Sequence, residues 1–211
     1  MATRQHVHAP AIAVLVVGYV VGLIAYPYLL GSFLDEKASA RMLVAFTLPT
    51  TALVIYLLFG SLWKHDRVRS GNGAFELTYH AIVLRVLLFV LALHALVMIE
   101  LTRAIETFGV RLVSPRAVVV VLGAVFVTIG NLLPRTRPNV AVGVRTTRTL
   151  TDSQLWQQVH RVGGYAAVVL GIVMVIAGLV LTGDKLGPVI SGAALIAAAT
   201  VFVSYRRYSR A

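Results

Sequence analysis

The chain has 211 residues, of which 58% are hydrophobic and 13% charged, and its mean hydropathy is +0.85. Soluble domains are about 45–50% apolar and about 25% charged, so this composition excludes an ordinary soluble domain, and the high apolar content also excludes a disordered chain. The absence of cysteine excludes a disulfide scaffold and cysteine-based metal or redox motifs. We therefore expect a membrane protein.

Six runs along the chain are long and apolar enough, or nearly so, to form membrane-spanning helices, each of which needs about 20 residues. They are Ala11–Leu30, Met42–Trp63, His80–Ile99, Ala117–Leu133, Val162–Thr182 and Gly187–Tyr205. The fourth run is the shortest and can gain a turn from Pro115, because proline is well tolerated in a first helical turn. The runs are continuous rather than alternating, which argues against transmembrane strands. The sequence predicts an all-α polytopic transmembrane bundle of six spans, with three-span regions at 1–110 and 111–211.

The distribution of basic residues predicts the orientation of this bundle. With the N-terminus inside, the inner connecting segments hold twelve Lys and Arg residues and the outer ones hold six, which favours both termini in the cytoplasm. Topology and contact with anionic lipid head groups account for the net charge of +11. Membrane lipids are therefore expected partners. Nucleic acid is not, since no binding signature accompanies the charge.

The connection Pro134–Arg161 is longer than the connections typical of compact domains. Its second half has Thr151 as a candidate N-cap with Gln154 three positions later, the spacing of a capping box. An apolar side made by Leu155, Trp156, Val159 and Val162 predicts a short helix on the inner membrane surface, with Trp156 at head-group depth. Gly163 and Gly164 predict a bend before the fifth span. We expect an ordered cytoplasmic loop over 134–161.

The segment from Gly130 to Gly164 resembles the signature of the SdpI family of bacterial integral membrane proteins. The resemblance rests on these elements: Gly130-Asn131, Leu133-Pro134, Pro138-Asn139, Gly143, Arg145-Thr146, Leu150, Trp156, His160-Arg161 and Gly163. It covers the C-terminal half of the chain. The N-terminal half resembles more weakly the helical-hairpin domain that often precedes this signature, through Tyr26-Pro27 and Leu48-Pro49, but the usual His…Gly element after the first span is missing.

This resemblance implies a multi-pass plasma-membrane protein that gives immunity or resistance to a membrane-active peptide toxin. It also implies a second class of function, in which the protein recruits a cytosolic transcriptional regulator to the membrane. A peptide toxin and a cytosolic regulator are thus the candidate protein partners. A small transporter or lipid-handling protein is a third hypothesis, although the predicted spans carry few polar residues. The resemblance does not identify the toxin.

The polar residues of the signature are the candidate ligand- or partner-binding site. They are Asn131, Pro134, Asn139, Arg145, Thr146, Trp156, His160 and Arg161. Guanidinium groups bind phosphate or carboxylate through two parallel hydrogen bonds, so the arginines could form an anion site. The alternative is that they fix the topology and touch lipid phosphates. For Asn131 and Pro134, a structural role at the end of the fourth span is favoured over a functional one.

Two ionisable residues, Arg85 and His94, fall within the third predicted span, where such residues are functional candidates by default. Arg85 is close enough to His80 to extend its side chain to the inner surface. His94 can stay neutral and hydrogen-bonded to another helix, and a proton relay with Glu100 is the alternative. We interpret His6 and His8 as part of a solvated tail. No metal site, no cofactor and no catalytic residue is predicted, because known enzyme motifs are missing from the sequence.

Small residues recur in the fifth predicted span. Gly164, Gly171 and Gly178 are spaced seven residues apart, which places them on one helix face and permits close helix packing. The sequence leaves open whether this face packs inside the bundle or between subunits.

Overall fold

The computed structural model describes residues 2–29, 38–66, 73–102, 115–181 and 183–209. These residues form seven α-helices and no strand. The helices are α1 (Ala2–Ala25), α2 (Ala38–His65), α3 (Gly73–Leu101), α4 (Pro115–Gly130), α5 (Thr147–Thr151), α6 (Ser153–Val180) and α7 (Gly183–Tyr208). Short 3₁₀ turns follow α1 at Tyr26–Tyr28 and α4 at Leu133–Arg135.

Every helix except α5 is long and apolar enough to cross a membrane. The predicted all-α bundle of six spans is therefore confirmed, and α4 begins at Pro115 as expected. The inward orientation of the two termini stays a prediction. Several of the basic residues on which this prediction rests lie outside the described residues: Lys37, Arg67, Arg69, Arg103, Arg111 and Arg210. The last residues of the first and fifth predicted runs, Leu30 and Thr182, also lie outside them.

One end of the bundle, which we call the loop face, carries the connection between α4 and α6. Arg148 in this connection donates a hydrogen bond of 2.8 Å to the carbonyl of Ser209, just after α7. The guanidinium of Arg137 lies over the ring of Phe75, at the start of α3, with 4.6 Å between the guanidinium carbon and the ring centroid. The loop face therefore joins residues from both halves of the chain.

Helices α1, α2 and α3 pack around a shared apolar core. Leu15, Ala52, Tyr79 and Leu87 are among its buried residues. The hydroxyl of Tyr79 donates a 2.7 Å hydrogen bond to the carbonyl of Phe59 in α2, so its polar group is satisfied within the helix pair. Ala141 and Val142 of the connection also pack on this core, which anchors the connection to the N-terminal half.

Helices α4 and α6 approach each other through glycines. A Cβ at Gly171 would lie 2.5 Å from the carbonyl oxygen of Gly123, and a Cβ at Gly164 would lie 2.7 Å from that of Gly130. No side chain fits such gaps, so the repeated glycines let the two backbones touch. The small-residue face of α6 thus packs inside the bundle.

The connection ends earlier than the sequence suggested. Helix α6 begins at Ser153, and Asp152 is its N-cap, accepting hydrogen bonds from the backbone N–H groups of Gln154 and Leu155. The expected cap, Thr151, instead ends α5. Helix α6 continues through Gly163 and Gly164, so the prediction of a separate surface helix was wrong, whereas the bend at these glycines stays a prediction. The ordered loop covers 131–152 rather than 134–161.

Candidate functional site: the ordered loop

Asn139 closes the first turn of the loop. Its side chain is almost fully buried. Its Oδ1 accepts hydrogen bonds from the backbone N–H groups of Ala141 and Val142 at 2.9 and 2.8 Å, and its Nδ2 donates to the carbonyl of Arg137 at 2.7 Å. Asparagine side chains commonly stabilise turns in this way. Because three of its hydrogen bonds are made within the loop, Asn139 acts on the shape of the loop.

Trp156 fastens the loop to the start of α6. Its side chain is fully buried within the protein, and its depth relative to the lipid head groups stays a prediction. The indole Nε1–H points to Thr136, 3.1 Å from the carbonyl oxygen and 3.2 Å from Oγ1. A buried tryptophan needs a partner for this group, and Thr136 supplies one from 20 residues earlier in the chain.

His160 is buried one turn further along α6 and stacks on Trp156, with ring centroids 3.8 Å apart and planes inclined by 15°. Its Nε2 accepts the backbone N–H of Val144 at 3.0 Å, and its Nδ1 lies 2.8 Å from the carbonyl oxygen of Trp156. An accepting Nε2 requires the proton on Nδ1, which then donates to that carbonyl. This pattern assigns a neutral imidazole that joins α6 to the loop.

Gly143 is required where the loop passes this imidazole. Its φ angle is +110°, a conformation that side chains disfavour. A Cβ at this position would lie 1.9 Å from Nε2 of His160. Only glycine therefore permits both the backbone path and the hydrogen bond between Val144 and His160.

Thr146 and Thr149 form a capping box around α5. Thr146 Oγ1 accepts the backbone N–H of Thr149 at 3.1 Å, and Thr149 Oγ1 accepts that of Thr146 at 2.9 Å. Thr149 also donates to the carbonyl of Val144 at 2.8 Å. Sequence reasoning placed the capping box at Thr151 instead. The Thr146–Thr149 spacing could have revealed it, although the residue at the N3 position of a capping box is usually glutamate or glutamine.

This buried framework presents arginines at the surface. Arg145 directly follows Val144, Arg161 directly follows His160, and both side chains are exposed. Arg145 donates through Nη1 to the carbonyl of Val140, a contact that uses only part of the donor capacity of the guanidinium. The geometry suits contact with a carboxylate or phosphate outside the loop.

A second arginine, Arg137, holds the loop against the N-terminal half. Besides its contact with Phe75, it lies in the electrostatic field of Asp66, which follows α2 and is buried. Burial lowers the pKa of Arg137 from its ordinary value, and the negative charge of Asp66 opposes that lowering. Asp66 thus favours the charged guanidinium that stacks on Phe75.

The structure brings together most of the residues singled out from the sequence. Asn139, Arg145, Thr146, Trp156, His160 and Arg161 all belong to the loop or to the first turns of α6. Asn131 is exposed at the end of α4, and the ring of Pro134 packs on Gly164. Their use in binding stays a prediction. Sequence reasoning missed Thr136 and Thr149, because their partners are set by the folded loop.

The two intramembrane candidates lie apart from the loop. Arg85 donates to the carbonyl of Ala81 at 2.8 Å, one turn closer to the loop face, the direction expected for a side chain that extends towards the surface. His94 is buried, and together with Gly18 of α1 and Pro49 of α2 it lines a small cavity. A functional role for either residue stays a prediction.

Comparison with known proteins identifies the region that holds this loop. Residues 135–205 match the SdpI/YfhL protein family, a match that covers the loop after Pro134, all of α6 and most of α7. No curated protein and no solved structure matches the chain. The match and the six apolar helices describe a multi-pass plasma-membrane protein. Over this C-terminal region the chain is similar to the SdpI/YfhL protein family.

Proposed function

We propose that this protein is a non-enzymatic membrane protein that gives resistance to a membrane-active peptide toxin. The observation that carries the proposal is the ordered loop of the family-matched region, in which buried side chains hold exposed arginines in fixed places. Arginines that only fixed the topology would not need a loop closed by Asn139, Trp156 and His160, since orientation depends on charge count alone.

In this proposal the buried and exposed residues have different roles. Trp156 and His160 are positioning residues, because their polar groups are bonded within the protein. Arg145 and Arg161 make the contact, by binding a carboxylate of the peptide, such as its C-terminus, at the membrane surface. Binding at this surface would keep the peptide from assembling in the bilayer.

The test compares two double variants that remove equal charge from the loop face. Cells expressing wild type, Arg145→Ala/Arg161→Ala or Arg206→Ala/Arg207→Ala would be challenged with peptides that dissipate the membrane potential. Arg206 and Arg207 are exposed at the end of α7 and serve as the matched control. We expect wild type and the α7 variant to protect and the loop variant to fail, at equal membrane levels measured by blot. Full protection by the loop variant would contradict the proposal.

A second candidate function is recruitment of a cytosolic regulator. It is supported by the exposed arginines of the loop and of the end of α7, which share one end of the bundle. An acidic protein surface would complement them. Recruitment would be favoured over toxin resistance by two results together. Wild type would co-purify with a regulator without protecting the cells, and both double variants would lose the regulator.

A further inference from the structure

A second site lies at the loop face, between α1, α2 and α3. It is a partly enclosed cavity of about 740 Å³, a size typical of small-ligand pockets. His8, expected in a solvated tail, instead lines this cavity. Its Nδ1 lies 3.0 Å from the hydroxyl of Tyr56, and its ring meets the edge of His80 with centroids 4.7 Å apart. The side chain of His6 lies outside the described residues.

The end of the cavity nearer the loop face carries one charge of each sign. Lys64 stands at the end of α2 and Glu76 in the first turn of α3, and both line the cavity. Within the described part of the chain, neither side chain makes a hydrogen bond or a salt bridge, and Glu76 interacts electrostatically with His80. Both groups are thus available to a ligand.

The end of the cavity that lies deeper in the bundle is lined by apolar side chains. Leu57, Val83 and Ile12 line this end. Leu57 lies seven residues before Lys64 in α2, and Val83 lies seven residues after Glu76 in α3. Ile12 lies one turn after His8 in α1. Seven residues of helix span roughly 10 Å, so polar and apolar linings are separated along the membrane normal. A ligand that fills both parts must be amphipathic.

Aromatic rings line the cavity near its charged end. Trp63 lines the cavity with its ring centroid 4.8 Å from that of Tyr79 and 6.1 Å from that of His80. Indole and phenol faces attract an ammonium group and favour the depth of lipid head groups. Beside Glu76, such rings suit a cationic group that also donates hydrogen bonds.

We propose that this cavity binds a zwitterionic phospholipid with a primary ammonium in its head group. The ammonium pairs with Glu76 and the aromatic rings, the phosphate pairs with Lys64, and one acyl chain lies along Ile12, Leu57 and Val83. Phosphatidylglycerol would bring no positive group to Glu76, and a basic peptide side chain would bring no negative group to Lys64. Neither Arg145 nor Arg161 lines this cavity.

The test uses Trp63 as the reporter. The full chain would be reconstituted in phosphatidylcholine vesicles containing equal fractions of phosphatidylethanolamine or phosphatidylglycerol with brominated acyl chains, which quench tryptophan at short range. We expect the ethanolamine lipid to quench about threefold to tenfold more effectively than the glycerol lipid. One partly exposed charge pair together with a cation–π contact would give a preference of this size. The Trp63→Phe variant should lose this quenching, since Trp156, the other tryptophan, is buried at the start of α6.

Three substitutions separate the two charged contacts. Glu76→Gln should abolish the preference for the ethanolamine lipid, and Lys64→Gln should weaken quenching by both lipids. Lys185→Gln, an exposed lysine on α7, is the control for loss of charge and should change neither.

Equal quenching by both lipids in wild type, a preference for phosphatidylglycerol, or a preference that survives Glu76→Gln would overturn the proposal. The proposal would also be overturned, in favour of a peptide site, if neither lipid quenched Trp63 and the emission of Trp63 shifted when a cationic peptide was added.

Discussion

Replacing Gly143 with alanine should open the loop without unfolding the bundle. The φ angle of +110° costs a residue with a side chain about 1–3 kcal/mol. The new Cβ would lie 1.9 Å from Nε2 of His160, so the imidazole must move and its hydrogen bond with Val144 is lost. Leaving these buried groups unpaired costs about another 1–3 kcal/mol. The loop should therefore be destabilised by about 2–6 kcal/mol.

Trypsin cleavage in detergent would measure this change, because Arg145 is an exposed cleavage site in the loop and proteolysis requires local unfolding. The cleavage rate follows the population of the open loop, so even about 2 kcal/mol should accelerate it about 30-fold. Gly192→Ala on α7 is the matched control, since a Cβ there meets no atom within 4 Å. A rate for Gly143→Ala close to that of wild type and of Gly192→Ala would refute the reasoning.

Three further substitutions test the packing and the hydrogen bonds. Gly171→Ala should separate α4 from α6 and lower unfolding stability in mixed micelles by about 2–4 kcal/mol, whereas an unchanged denaturation midpoint would contradict the close glycine contact. Trp156→Phe removes the donor to Thr136 and should cost the loop about 1–3 kcal/mol, measured as faster cleavage by trypsin; cleavage as slow as in wild type would argue against that hydrogen bond. Thr149→Val keeps the side-chain shape but deletes the capping box, so hydrogen exchange of the α5 amides should accelerate about fivefold to 30-fold, for a cost of about 1–2 kcal/mol. Unchanged exchange would show that the cap contributes little.

The bundle could be predicted from the sequence because crossing a bilayer imposes a length of apolar chain that local reading detects. The beginning of α4 at Pro115 was predictable for a similar reason, since proline fixes a first-turn conformation. The beginning of α6 was not. Thr151 and Asp152 are both good N-caps, and the choice between them depends on Thr146 and Thr149, which define a separate short helix.

The position of Trp156 shows the limit of such reasoning more clearly. Its apolar neighbours along the helix are compatible with either a membrane surface or a protein interior. The contact with Thr136 decides that Trp156 is buried in the protein. Thr136 lies 20 residues earlier and reaches the indole only once the loop has folded back on α6. For the same reason, no local pattern could place His8 beside His80, 72 residues later in the chain.

The sequence by itself determined that the chain is a membrane protein with six helical spans and a long basic connection in a family-specific signature. These features follow from composition, run length and residue order, which are local. The tertiary structure alone decided which polar residues are buried in the loop and which are presented, and it created the cavity between α1, α2 and α3. Hydrogen-bond partners and cavities depend on groups far apart in the chain, so they exist only after the helices have packed.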